Sequence, residues 1–174
     1  MKTLSFDAET NGLYGRAFAI GAIVADDDGR IVAQYTGRSP IEGDVEPWIR
    51  ENVLPNMSDI KESTGSYQGL LEDFFQFYKE HKEGADVIAH MAHPVETKVL
   101  RDMVEGDLES RMWDGPFPLI DVAGVLKAKG EDPTSVDGYI EKNGLYVPAE
   151  GLTTHHPLYD SIATDVAYRD LMKD

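Results

Sequence analysis

The sequence predicts an α/β domain in which helices flank a mixed β-sheet, with residues 1–174 forming a single domain. Three observations predict it. The N-terminal part carries apolar and alternating runs bounded by turn residues, the pattern of an antiparallel meander. After it, segments of helical periodicity alternate with apolar stretches too short to be helices, which places helices between strands. Finally, 174 residues that are 41% hydrophobic, with no repeat, linker or low-complexity stretch, suffice for one compact core.

Residues 2–7 form the first predicted strand, and residues 17–25 (AFAIGAIVA) the second. Asp26-Asp27-Asp28-Gly29 is a turn, Asp-Gly being a strong hairpin signal, and residues 31–36 alternate as a third strand. Pro47 precedes a short helix over 48–54, in which Trp48, Ile49 and Val53 share a face and which Pro55 stops. The clearest helix covers 67–82. There Leu70, Leu71, Phe74, Phe75 and Tyr78 recur at helical spacing, as core side chains rather than a base-stacking platform, and Gly84 follows. His81 reads as a surface residue at its C-terminal end. Residues 86–89 (DVIA) form a short buried strand, and Pro94 opens a helix through about residue 104. Leu119 and Ile120 lead into a helix over 122–129, and residues 135–143 form another. Pro157 starts the final helix, reaching residue 172 with Leu158, Ile162, Val166 and Leu171 inward.

The net charge of -16 argues against a protein that clamps long duplexes through many phosphate contacts. Its simplest effect is solubility, and it leaves room for an enzyme that grips only a strand end through metal ions. With no cysteine there is no disulfide framework and no thiolate zinc site, which suits a cytoplasmic protein. No run approaches the roughly 20 apolar residues of a membrane span, and the N-terminus enters a strand without a signal peptide.

The first strand runs into Asp7-Ala8-Glu9. Side chains two apart on a strand share a face, so two like charges meet where a sheet favours Val or Ile. A bound divalent cation relieves that conflict, and hard oxygen ligands select Mg²⁺ or Mn²⁺. A polar strand end opening a loop is the plainer reading of these two residues alone. Near the C-terminus, His155 precedes a helix in which Asp160 lies about one turn from the start, a position that the helix dipole by itself favours for an acid.

Asp7-x-Glu9 together with His155-x4-Asp160 resembles the DEDDh superfamily of 3′-to-5′ exonucleases, which includes ribonuclease T, oligoribonuclease and polymerase proofreading subunits. Glu9-Thr10-Asn11-Gly12-Leu13 followed by Ile20-Gly21-Ala22-Ile23 is similar to the first motif and second strand of that family, and Asp160-Ser161-Ile162-Ala163-Thr164 to its third motif. The middle motif departs, because His90-Met91-Ala92-His93-Pro94-Val95-Glu96 puts Glu96 where the family carries Asp. That variant, with Trp48-Ile49-Arg50 and Val53-Leu54-Pro55, resembles small phage and bacterial exoribonucleases of this type. The resemblance implies a ribonuclease H-like fold. It also implies a two-metal phosphodiesterase in which Asp7, Glu9, Glu96 and Asp160 hold two Mg²⁺ or Mn²⁺ ions and His155 is the general base. A histidine suits that role because its ordinary pKa is about 6.5.

Several alternatives stand beside this assignment. His156 is the rival base and Asp102 the rival to Glu96. His90 and His93 lack a third zinc ligand at diagnostic spacing and are expected to line the cleft, while Asp121 resembles a family acid outside the metal set. The resemblance further implies that Thr10, Asn11 and Leu13 meet the terminal nucleotide at the 3′ end of single-stranded RNA or DNA, Leu13 as a wedge against the base. Tyr14 is a second candidate for that contact. Small size and acidity favour RNA or short oligonucleotides. A DNA exonuclease and a non-catalytic acidic interaction protein are the competing readings, and a homodimer is left open.

Overall fold

A computed structural model describes residues 1–173. Five strands form one sheet in the order β3-β2-β1-β4-β5. Strands β1 (Thr3–Thr10), β2 (Ala17–Ala25) and β3 (Ile31–Arg38) make the antiparallel meander, while β4 (Asp86–Ala89) pairs parallel with β1 and β5 (Ile120–Asp121) parallel with β4. The sheet is therefore mixed, as the sequence predicts. The helices are α1 (Pro47–Asn52), α2 (Tyr67–His81), α3 (Val95–Glu105), α4 (Leu108–Arg111), α5 (Val122–Ala128), α6 (Val136–Asn143) and α7 (Pro157–Leu171).

The period of two in β1 sorts its chemistry. Leu4, Phe6 and Ala8 are buried in the main core with Leu70, Leu71, Phe74, Phe75 and Tyr78 of α2 and Val99, Leu100 and Met103 of α3. Thr3, Ser5, Asp7 and Glu9 share the opposite face, where the Thr3 hydroxyl donates to Asp165 on α7. The predicted first strand stops too early. β1 continues through Asp7 and Glu9 to Thr10, with a register irregularity between Glu9 and Thr10. Antiparallel pairing with β2 carries it on, and pairing is a tertiary fact that local propensity cannot register.

The seating of α7 depends on Gly21, which faces Asp7 across the β1–β2 ladder. A Cβ there would lie 2.3 Å from the Pro157 carbonyl carbon and 2.4 Å from the Leu158 nitrogen. The Ser161 hydroxyl donates to the Gly21 carbonyl at 2.9 Å, so backbone rests on backbone. The inner face of α7 is smaller and more polar than predicted. Ser161, Ala163, Thr164, Asp165 and Ala167 are buried with Ile162 and Leu171, while Leu158 and Val166 are only half-buried.

Other expectations change as well. Trp48 is 53% exposed, whereas Ile49 and Val53 are buried with Phe18, Met57 and Ile60. Residues i and i+4 already fill the stripe of a six-residue helix, and Trp48 lies off it. Pro55 does not end that segment but sits within a 3₁₀ turn over Leu54–Met57. His81 is half-buried, its ring 4.7 Å from that of Phe77. The short helix α4 was not expected from the periodicity and begins with an Asp107 cap on Ser110 N–H. Among the described residues, no helix is long and apolar enough to cross a membrane.

Replacing Gly21 with Ala should destabilise the protein by about 1–3 kcal/mol, because the clashing atoms are backbone. A urea midpoint that is unchanged in Gly21→Ala would show that α7 is not seated as described.

Candidate active site

The carboxyl ends of the parallel strands β1 and β4 open into a cleft of about 420 Å³, the edge at which open α/β sheets bind ligands. Four chain segments line it: Asp7, Ala8, Glu9 and Leu13; His90, Met91 and His93 to Glu96; Thr134 to Asp137; and Thr154, His155, Asp160, Ala163 and Thr164. Asp7 and Glu9 project from the same face of β1, Glu96 lies in the first turn of α3, and Asp160 in the first turn of α7. Among the described residues that line the cleft there is no Lys or Arg.

Glu9, His155 and Asp160 each offer one ligating atom within 4.8 Å of the others, the dimensions of a cation site. Glu96 is 4% exposed, and its Oε1 accepts from the Ala8 N–H at 3.1 Å, the amide between Asp7 and Glu9. Burial pushes the Glu9 and Glu96 carboxyls up to about 8 and the Asp160 carboxyl up to about 7. Asp7 is raised well above the ordinary range, first by burial and then by the charges of Asp160, Glu96 and Glu9. Acids in this state hold protons in place of a cation, so the donor set fits hard divalent ions.

The alternatives separate in space. His156 is buried as the N-cap of α7. Its Nδ1 accepts from Leu158 N–H at 3.2 Å and its Nε2 faces Asp59 Oδ2 at 3.3 Å, so both nitrogens are engaged away from the cleft. Asp102 accepts from Tyr67 and Lys98 at 2.8 and 2.5 Å and does not line the cleft. Asp121 accepts from the N–H groups of Met91, Ala92 and Ala123 at 2.9–3.1 Å, pinning the loop that leads to Glu96. His90 lines the cleft with its Nε2 2.9 Å from Pro133 O, and His93 lines it as well. Among the described residues neither belongs to the metal-sized cluster of Glu9, His155 and Asp160, and Asp7 and Glu96 line the same cleft outside that cluster.

Leu13 lines the cleft and is 60% exposed, Tyr14 is exposed, and Thr10 is buried. The Asn11 carboxamide instead ties down the 42–46 loop, donating to Asp44 O at 2.8 Å and accepting from Glu46 N–H at 2.9 Å. Asp137 and Thr154, which the sequence did not single out, also meet here, as does Trp48, which it placed on a buried helix face. Asp137 of α6 accepts from the Thr154 hydroxyl at 3.0 Å, and the Trp48 ring stands edge-on to His155. The non-glycine residues with positive φ, Met91 at 50° and His155 at 66°, both line the cleft. Backbone strain concentrates where side-chain placement matters.

No family model and no curated protein sequence matches the chain. Among solved structures it is similar to E. coli Exonuclease I in complex with a dT13 oligonucleotide, with TM-score 0.71 and 14% identity over 99% of this chain and 41% of that one. An ExoI/SSB-Ct complex gives TM-score 0.67 at 14% identity, covering 95% and 40%. Exonuclease I with a dA16 oligonucleotide gives TM-score 0.64 at 15% identity, covering 99% and 40%. The chain thus has the ribonuclease H-like fold of these neighbours and spans about two-fifths of their length. The homodimer that the sequence left open finds no support in them.

The pH dependence of the metal-free protein follows from the raised carboxyls. Their ordinary values lie near 4, so between about pH 4 and 8 the folded chain holds protons that the unfolded chain releases. Stability is therefore fully present below about pH 4 and is lost as pH rises through 7–8. Denaturant midpoints in EDTA should fall from pH 5.5 to pH 8.5, and Mn²⁺ should restore the loss at the higher pH.

Proposed function

We propose that the protein is a divalent-cation-dependent 3′-to-5′ exonuclease acting on single-stranded nucleic acid, with RNA or short oligonucleotides as its favoured substrate. One observation carries the reading. Four carboxylates and a histidine from distant parts of the chain converge on one cleft of a fold shared with exonucleases. In this reading Asp7, Glu9, Glu96 and Asp160 hold two Mg²⁺ or Mn²⁺ ions. When bound, such ions neutralise phosphate charge and align the attacking and leaving oxygens. The His155 imidazole takes the proton of the attacking water, and its placement beside Glu9 and Asp160 supports that role. Leu13 wedges against the terminal base, with the backbone near Thr10 meeting the same nucleotide. Asn11 contributes by holding the loop beneath them.

Substrate length follows from the same lining. With no Lys or Arg at the cleft, phosphates beyond the terminal one gain little electrostatic grip. Affinity for a single strand should therefore fall with salt at a slope of roughly one to two phosphate contacts, about 0.7 each. A steep slope would point to a long basic track and a long substrate. DNA is the second reading, favoured by neighbours that hold dT13 and dA16. Matched 5′-labelled RNA and DNA strands decide between them by their product ladders. Absence of both hydrolysis and saturable Mn²⁺ binding would favour the non-catalytic acidic protein.

Asp7→Asn should abolish hydrolysis while raising the metal-free melting temperature, since like-charge repulsion is relieved. Glu96→Gln should cost about as much activity as Asp160→Asn. If Asp102→Asn is the damaging change instead, the middle ligand is misassigned.

His155→Ala should lower turnover by roughly 10²–10⁴-fold, and His156→Ala should act on stability through the lost cap rather than on the chemical step. Mn²⁺ titration of the His155 variant separates base from ligand, because a general base leaves metal affinity nearly unchanged.

A further inference from the structure

We propose that the segment from Trp48 to Asp59 is the positioning frame of the His155 loop and that Trp48 sets the orientation of the imidazole. The inference rests on the reading of His155 as the base. Three successive loop residues are each gripped from this one segment. The Asn56 carboxamide donates to the Thr154 carbonyl at 3.1 Å and to the Asn52 carbonyl at 2.8 Å. The Trp48 and His155 rings meet edge to face, with centroids 5.3 Å apart and planes at 84°. Asp59 faces Nε2 of His156, which carries the ring proton because Nδ1 accepts from Leu158 N–H.

The loop needs such a frame. His155 has φ 66°, a conformation that a residue with a Cβ does not hold without support. Besides the frame, α6 reaches the loop through Asp137 at the Thr154 hydroxyl and α7 through Asp160 at the His155 N–H, and neither bond touches the imidazole. Within the frame, Ile49, Val53 and Met57 are buried against Phe18 and Ala19 of β2, with Ile60 just beyond it in the same cluster, so its backbone is anchored. Trp48 is left 53% exposed on an anchored helix, and burial therefore does not account for its large ring. What the ring does is meet the imidazole in a geometry that aromatic pairs favour. Trp48 is a positioning residue: it acts through His155.

The test compares Trp48→Leu, which keeps apolar bulk but removes the ring, with Trp48→Phe, which keeps an aromatic edge. On a labelled single strand with Mn²⁺, Trp48→Leu should lower kcat about 10-fold and change KM by less than about twofold, because misorienting a base forfeits part of its 10²–10⁴-fold contribution. Trp48→Phe should recover most of the loss. In a His155→Ala background, Trp48→Leu should add nothing. Independently of activity, the His155 ring resonances should move towards their unstructured positions in Trp48→Leu, and the amides of 154–156 should exchange faster, with His90 and His93 unmoved. Unchanged His155 resonances, or a rise in KM with kcat intact, would overturn the proposal and leave Trp48 a nucleotide contact. Full turnover in His155→Ala would instead sink the base assignment, and the ring resonances would still report whether Trp48 holds the imidazole.

Discussion

Pro157 and Leu158 lie against the backbone of Gly21 at a separation that no Cβ would tolerate. That approach brings the first turn of α7 over the polar face of β1. It sets Asp160 beside Glu9 and places the His155 loop at the mouth of the same cleft. Further along the helix, the contact between Thr3 and Asp165, with Arg169 bonded to both, keeps α7 parallel to that face. A larger residue at position 21 would lift the helix and separate the two halves of the acid cluster.

The cluster works against the fold that builds it. Two like charges within 4.8 Å of each other repel by at least about 3 kcal/mol at an effective dielectric of 20, a large share of a typical net stability of roughly 5–15 kcal/mol. Four such groups in one half-buried cleft are tolerable only with protons or cations among them. The raised carboxyls are the proton solution, and divalent ions are the alternative that leaves the groups ionised at neutral pH. The surrounding structure is correspondingly over-determined. The Ala8 N–H fixes Glu96, Asp121 gathers two loop amides, and His155 N–H donates to Asp160 Oδ2 at 3.0 Å.

The acidity of the chain takes on a local meaning here. With a net charge of -16 and no cation lining the cleft, the protein offers little to a polyanion except the cleft itself. On the proposed function, recognition at such a site would be confined to the strand end and would depend on apolar rim residues such as Leu13 and on ions rather than on phosphate tracks.

Periodicity and punctuation in the sequence determined the mixed α/β fold, the meander, the long helix α2 and its core stripe, because burial of an amphipathic face is a local pattern. The motif spacing also named Asp7, Glu9, Glu96, His155 and Asp160, which the fold brings to one cleft. Only the tertiary structure decided that β1 runs on past Asp7 to Thr10, since that depends on its pairing with β2. It alone showed His156 turned from the cleft as the cap of α7, where the motif spacing only favours His155 over its neighbour. It alone moved Trp48 from the core to the imidazole, and it brought Asp137 to Thr154 across 17 positions. These are contacts between distant segments, and a pattern read along one chain carries no distance between them.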